Sequence, residues 1–397
     1  MAITNRMPDP TKPVDVAIVG GGIAGLVCAW RARREGLSVA VLERETLGSA
    51  TSSVAAGMLA PVTEAEFGET GGRLLQLSLR SAQTWPQFAA ELEELTGLDV
   101  GLLETGTLIV ARDDDEAREL ERQLAFRRSL GLRAERLRAS VARELEPGLA
   151  PTVRLAVDAP EDHAVDPRLV LAALRRACES RRVVLREGIA VESLTLDSAG
   201  QRVTGLALAA GERVAAGTVV LAAGAWTGRI AGLPEGAQVP VRPVKGQILR
   251  VRDPHGSGLV GRPVRFGGGY VVPRAGGVYA IGGTVEEKGF DTAPTVGGVY
   301  EVLRAAGELV PGIDELEIEQ LLVGLRPGTP DNAPAIGPGA LEGLVWATGH
   351  YRNGILLAPL TGELVAATLT GETRGLGELL AACAPERFGT AQERDAA

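Results

Sequence analysis

Cysteine, histidine and aromatic residues are scarce in this chain, and each scarcity removes a class of chemistry. The three cysteines, Cys28, Cys178 and Cys383, lie far apart with no C-x-x-C spacing. They form no disulfide framework and read as buried or free thiols of a cytoplasmic protein. The three histidines, His163, His255 and His350, are scattered, so no metal site is expected. Basic residues are outnumbered, 41 Lys and Arg against 50 Asp and Glu, for a net charge of −9. That balance provides no basic face for a nucleic acid. No apolar run approaches the roughly 18–20 residues that a membrane span needs. The stretch from Met1 to Pro13 lacks the apolar core of a signal peptide. What the chain does have is 45% hydrophobic residues and 52 glycines in 397 positions. This suits an α/β protein with many tight turns, long enough for two domains.

The organising stretch is Val14 to Glu43. Val14 to Val19 read as a buried strand running into Gly20-Gly21-Gly22-Ile23-Ala24-Gly25, which contains G-x-G-x-x-G. A helix is predicted to about Arg34, Gly36 ends it, and Leu37 to Leu42 form a second strand closing on Glu43. Gly20 permits the strand-to-helix turn, Gly22 lets a pyrophosphate approach the backbone, and Gly25 lets helix and strand pack closely. The helix N-terminus, with free N–H groups and a positive dipole end, favours the pyrophosphate. Glu43, 18 residues after Gly25, is placed to accept hydrogen bonds from a ribose diol. Strand, helix, second strand and terminal acid in this order predict a dinucleotide site.

Further along, Thr46 to Thr63 is small-residue rich but too apolar for a linker. Helices are expected over Leu74 to Leu95, Asp113 to Leu130, Arg168 to Ser180 (Asp166 as N-cap, Pro167 at the first position) and Val296 to Leu309. Thr218 to Trp226 reads as a buried strand ending in small residues, the end at which doubly wound sheets bind ligands. Val239 to Thr284 changes to short β-rich runs divided by Gly and Pro, an antiparallel sheet of a second domain. Leu344 to Ala347 is a strand, and a helix is expected to start near Asn353-Gly354. The tail after Arg387 is expected to be disordered.

The glycine motif with Glu43, AAGML at 55–59, AAGAW at 222–226, GLRPGT at 324–329 and GHYRNGILLAP at 349–359 occur in one order. Together they resemble the D-amino-acid-oxidase superfamily of FAD-dependent amine oxidases, nearest to its glycine-oxidising branch in thiamine biosynthesis. The resemblance runs from about Asp15 to Leu380. It implies a Rossmann-like FAD-binding domain of the glutathione-reductase type, at 14–85, 150–240 and 324–380. An antiparallel β-rich α+β substrate domain would take 86–149 and 241–323, with 381–397 as tail.

The same resemblance implies FAD contacts at Ile23 and Ala24 for the pyrophosphate, and at Glu43, Arg44, Thr51 and Ser52. Ala56, Gly57 and Met58 would lie beside the flavin and Val191 beside adenine. His350, Tyr351, Arg352, Asn353, Gly354, Ile355 and Leu356 would wrap the pyrimidine side of the flavin. No cysteine falls in these segments, so FAD is expected to be non-covalent. Arg326, Tyr270 and Arg352 match substrate-binding positions, and arginine suits bidentate recognition of a carboxylate. No protein group is assigned as acid or base, since the flavin N5 takes a hydride from the α-carbon.

The implied reaction is oxidation of glycine, extending to sarcosine or small D-amino acids. It would use O2, release hydrogen peroxide and yield an imine or glyoxylate. The implied assembly is a homo-oligomer, dimer or tetramer, able to hand the imine to a thiazole synthase. A D-amino-acid dehydrogenase passing electrons to quinone, and a flavin-bound scaffold or sensor, are the alternatives. Trp226 is expected to be a core aromatic, Lys245 a structural strand-start lysine, and Asp162 and His163 loop residues. The chain departs from the family pattern at Gly267-Gly268-Gly269, where bulkier polar residues are usual, and at Val285, where a methionine is. Less bulk there predicts a roomier pocket.

Overall fold

The computed structural model describes residues 12–65, 72–234, 236–256 and 258–389. Val14–Val19 is the strand expected from its apolar run, and its last four residues are fully buried. It is sandwiched in register between Val39–Leu42 and Arg213–Leu221, parallel to both. The full sheet runs Ala335–Pro338, Leu344–Thr348, Arg213–Leu221, Val14–Val19, Val39–Leu42, Val184–Arg186. A meander of Val191–Leu196 and Val203–Leu208 branches from Arg213–Leu221. Helix Ile23–Arg34 covers one face together with Pro167–Ser180 and Ala358–Thr370. The core between them is built on Trp30, Leu26, Val27, Leu174 and Leu364, all at most 1% exposed.

A second sheet of eight strands runs Glu317–Gly328, Arg242–Arg252, Val278–Gly282, Gly269–Arg274, Val264–Phe266, Thr107–Ala111, Leu155–Ala159, Glu135–Arg138. All its pairings are antiparallel except Val264–Phe266 with Thr107–Ala111. The strand Glu317–Gly328 packs against the short helices Thr51–Val54 and Gly224–Arg229, and its last third carries Arg326.

The divisions expected from sequence differ from the strand pairing at three places. The boundary between 85 and 86 falls inside one continuous helix, Arg73–Thr96, which packs on Pro167–Ser180 and Ala358–Thr370. Leu155–Ala159, expected with the first domain, is hydrogen-bonded into the second sheet. The expected tail begins inside helix Gly377–Ala382, and Cys383 and Phe388 are buried, because the segment folds back on Ile336. Residues 390–397 lie outside the described residues. Asp166 caps Pro167–Ser180 by accepting the Arg168 N–H, as expected; Asp113, expected as the first helical residue, is instead the N-cap of Asp114–Ser129 and accepts the Asp115 and Glu116 N–H groups. Among the described residues no helix is long and apolar enough to cross a membrane, and no cluster of metal-ligating side chains forms.

Candidate active site

A cavity of about 1090 Å³ opens between the two sheets. One end is the glycine turn. Gly20 has φ +104°, and a Cβ there would lie 2.6 Å from the Ala222 carbonyl oxygen. A Cβ on Gly25 would overlap the Gly20 carbonyl. The turn thus requires both glycines, and it delivers the first turn of Ile23–Arg34 to the cavity. Ser52 accepts the Ile23 N–H at 3.1 Å, so the second small-residue segment closes over the helix N-terminus. Glu43 accepts the Gly21 N–H at 2.7 Å and the Glu45 N–H at 3.0 Å. Its carboxylate therefore holds the turn as well as facing the cavity. Arg44 stacks at 4.2 Å over Trp226, and Val191 lines the wall beyond. Trp226 is a half-buried cavity wall, not the core aromatic expected from its place after a strand. The chain turns into a short helix, Gly224–Arg229, and swings the indole outward.

Ala56, Gly57 and Met58 line the same cavity. This segment is tied to the second sheet by Arg274, which donates to the Ala56 carbonyl and lies 3.8 Å from Asp166. Burial lowers the Arg274 pKa to about 10, with Asp166 opposing the shift. Thr51 Oγ1 donates to the Leu325 carbonyl at 2.9 Å, and the Leu325 N–H lies 3.2 Å from the same hydroxyl. The Tyr351 N–H donates to the Pro327 carbonyl at 2.8 Å. Two segments remote in sequence thus flank Arg326.

His350 to Leu356 curl beside the cavity in turns. The helix expected to start near Asn353-Gly354 begins instead at Ala358. Ser81 and Trp85 both donate to the Leu356 carbonyl, at 2.7 and 2.8 Å, and hold that turn off the helix axis. The Thr361 hydroxyl donates to the Leu357 carbonyl at 2.8 Å, so it accepts from His350 Nε2 at 2.9 Å. Burial lowers the His350 pKa to about 4, which keeps the imidazole neutral. The unfolded chain protonates below about 6.5, so this term is complete above that pH and is lost as pH falls toward 4. The slope is about 1.4 kcal/mol per pH unit inside that window. His350→Gln keeps a donor to Thr361 but does not titrate. Its melting temperature should depend less steeply on pH between 4 and 6.5 than that of the wild type, and superimposable curves would exclude this role.

Arg326 and Tyr270 also line the cavity. Arg326 Nη1 donates to the carbonyls of Thr284 at 3.0 Å and Lys245 at 3.3 Å, across from side-chain-free Gly246. Among the described residues it has no carboxylate partner. Burial raises the Tyr270 pKa against the opposing charges of Arg326 and Arg265, so the phenol keeps its proton. Arg352 is engaged by Glu64, which also pairs with Arg265. Burial would raise the Glu64 pKa, but Arg265 and Arg352 bring it down to about 2.

Lys245 is fully buried and structural, its Nζ on Asp291 and on the Ala293 carbonyl, both at 2.6 Å. Asp162 is the loop residue expected, just before strand His163–Ala164, but it is fully buried and accepts the Val62 and Thr63 N–H groups. His163 pairs with Leu59 in a two-stranded ribbon. The expected roominess is uneven. Gly268 has open space around it, but a Cβ on Gly269 would lie 2.5 Å from the Gly282 carbonyl. Val285 is 57% exposed and sits at the rim.

Sequence alone gave no reason to select Glu64, Arg265, Arg274 or Asp162. Their signal was faint: single charged residues beside motif segments.

The cavity fits FAD by its own features. Its glycine turn offers backbone and a helix dipole to a pyrophosphate, an acid stands at the end of the second strand, and a small-residue wall leaves room for a flat ring system. FAD, when bound there, supplies the two-electron acceptor. Glu43→Ala should raise the FAD dissociation constant about 10- to 100-fold, the equivalent of roughly 1.5–3 kcal/mol for hydrogen bonds to a charged group. Titration of apoprotein with FAD measures this, and an unchanged constant would remove Glu43 from the site.

The sequence model of the family described as FAD dependent oxidoreductase (DAO) matches residues 15–368. The glycine oxidase of Geobacillus kaustophilus strain HTA426 is 39% identical over 358 residues, 90% of this chain and 93% of that protein. The bifunctional protein ThiO/ThiG of Trichormus variabilis is 37% identical over 89% of this chain, which spans 52% of that longer protein. The crystal structure of the glycine oxidase from Geobacillus kaustophilus superimposes with a TM-score of 0.83 at 38% identity, covering 91% of this chain and 96% of that one. The chain therefore belongs to the DAO family of FAD-dependent oxidoreductases.

Proposed function

We propose that the enzyme oxidises glycine, with sarcosine and small D-amino acids as further substrates, to the imine, using O2 and releasing hydrogen peroxide. The observation that carries this reading is the presence of Arg326 and Tyr270 in the same cavity wall, close enough for the guanidinium charge to act on the phenol. The guanidinium has no carboxylate partner of its own among the described residues, and a planar fork in a buried wall suits a substrate carboxylate. Tyr270, kept as a phenol, donates a second hydrogen bond to the same carboxylate. Together they fix one end of the amino acid so that its α-carbon meets the middle of the cavity, beside Ala56, Gly57 and Met58. The neutral His350 stands behind the cofactor-side turn and takes no proton from the substrate. The relatives support glycine as substrate by name. The ThiO/ThiG proteins, which carry both names in one chain, support hand-off of the imine to thiazole synthesis within thiamine formation.

Purified holoenzyme should form peroxide in air from glycine, and from sarcosine and D-alanine at comparable or lower kcat/KM. Reduction of a quinone analogue without peroxide would favour a dehydrogenase, and turnover of none of these amines would overturn the reading.

A further inference from the structure

Next to the Arg326–Tyr270 pair the cavity carries a second cationic position, and the protein fills it itself. The two Glu64 oxygens meet different guanidiniums: Oε1 meets Arg265 on strand Val264–Phe266, and Oε2 meets Arg352 after strand Leu344–Thr348. That is the two-armed arrangement a substrate carboxylate would adopt between two arginines.

Glu64 does not swing freely. Asp162 accepts the Val62 N–H at 2.9 Å and the Thr63 N–H at 2.7 Å. From the other side Arg127 donates to the Val62 carbonyl at 3.0 Å and the Thr63 carbonyl at 3.2 Å. Asp162 is 0% and Arg127 2% exposed, so both backbone groups of the two residues before Glu64 are held by buried charges. Arg265 also donates to Thr63 Oγ1 at 3.0 Å. Tyr270 is the register partner of Arg265, which places this cluster beside the proposed substrate clamp.

We propose that Glu64 is a tethered carboxylate that fills the pocket's second anion position and so restricts the substrate to amines bearing a single carboxylate. A second acid group, whether on the side chain or on the amine, would have to displace a partner held at high effective concentration by its own backbone. Specificity then comes from a built-in competitor as well as from attraction to the substrate. The proposal rests on Arg326 being the primary carboxylate site. Asp162 is a positioning residue that acts through Glu64.

Equilibrium titration of FAD-loaded enzyme with acetate and with succinate tests this without turnover. In the wild type, succinate should bind no tighter than acetate. In Glu64→Gln, succinate should gain at least about tenfold relative to acetate. Asp162→Asn should move the ratio in the same direction by less, whereas Glu64→Asp should leave it near wild type. An unchanged ratio in a folded Glu64→Gln protein would overturn the proposal. So would wild-type enzyme binding succinate tenfold tighter than acetate, a result that needs no variant to fold. In parallel, kcat/KM for D-aspartate and for N-carboxymethylglycine, each relative to glycine, should rise in Glu64→Gln. The two probes separate a side-chain acid from an acid on the amine. Loss of all amine turnover with the expected binding ratios would overturn the oxidase reading and leave the role of Glu64 standing.

Discussion

Arg326→Ala is expected to lower kcat/KM for glycine by roughly one and a half to three and a half orders of magnitude. Its proposed partner, the substrate carboxylate, is a fixed negative charge that would meet a partly buried guanidinium. Removing one member of such a hydrogen-bonded charge pair costs about 2–5 kcal/mol, at about 1.4 kcal/mol per factor of ten. The structure adds that Arg326 also holds the Thr284 and Lys245 carbonyls, so a small loss of stability should accompany the kinetic effect. Folding and FAD content should otherwise persist, because the guanidinium hydrogen-bonds to the Thr284 and Lys245 carbonyls and to no residue of the glycine turn. Arg326→Lys should recover only part of the activity, since an ammonium cannot reproduce the two-pronged contact. An amine without a carboxylate should be oxidised at nearly the wild-type rate. Steady-state kinetics on glycine and on such an amine measures both, and normal kcat/KM for glycine in Arg326→Ala would show that the carboxylate binds elsewhere.

Gly25→Ala is expected to abolish FAD binding and to destabilise the fold. The added Cβ would overlap the Gly20 carbonyl, and backbone in a strand-to-helix turn cannot step aside as a flexible side chain can. Overpacking typically costs about 1–3 kcal/mol, and an overlap with rigid backbone lies at the upper end of that range. The first strand is flanked on both sides by parallel neighbours, so relief by shifting it would break two ladders. Gly22→Ala is the informative companion. Its Cβ would approach only Ser52 Oγ, at 3.2 Å, so the protein should fold while binding FAD more weakly. Flavin absorbance of purified protein and thermal melting separate the two variants. A Gly25→Ala protein with full flavin content and an unchanged melting temperature would remove the packing argument.

The β-α-β unit, both capped helices and the glycine-bounded motif segments were legible in the sequence because their causes are local. A left-handed turn needs glycine, a capping aspartate needs only the next two residues, and a buried parallel strand needs only its own apolar run. Even here the helix after His350 was misplaced by about one turn. Its start is decided by Ser81 and Trp85 gripping the Leu356 carbonyl from a helix more than 270 residues away in sequence. The same distance hid Trp226 as a wall and Asp162 as a clamp, whose partners Val62 and Thr63 lie 100 and 99 residues earlier.

What the sequence by itself determined is the cofactor turn, with Gly20, Gly25 and Glu43, and the presence of Arg326, Tyr270 and Arg352 in segments that resemble a cofactor-binding family. Which of those charges face an open cavity and which are already partnered was decided only by tertiary packing. Arg352 and Arg265 meet Glu64 across separations of 288 and 201 residues, whereas Arg326, among the described residues, hydrogen-bonds only to carbonyl oxygens. Charge pairing depends on distance in space, and no spacing along the chain encodes the crossing of two sheets that brings these side chains together.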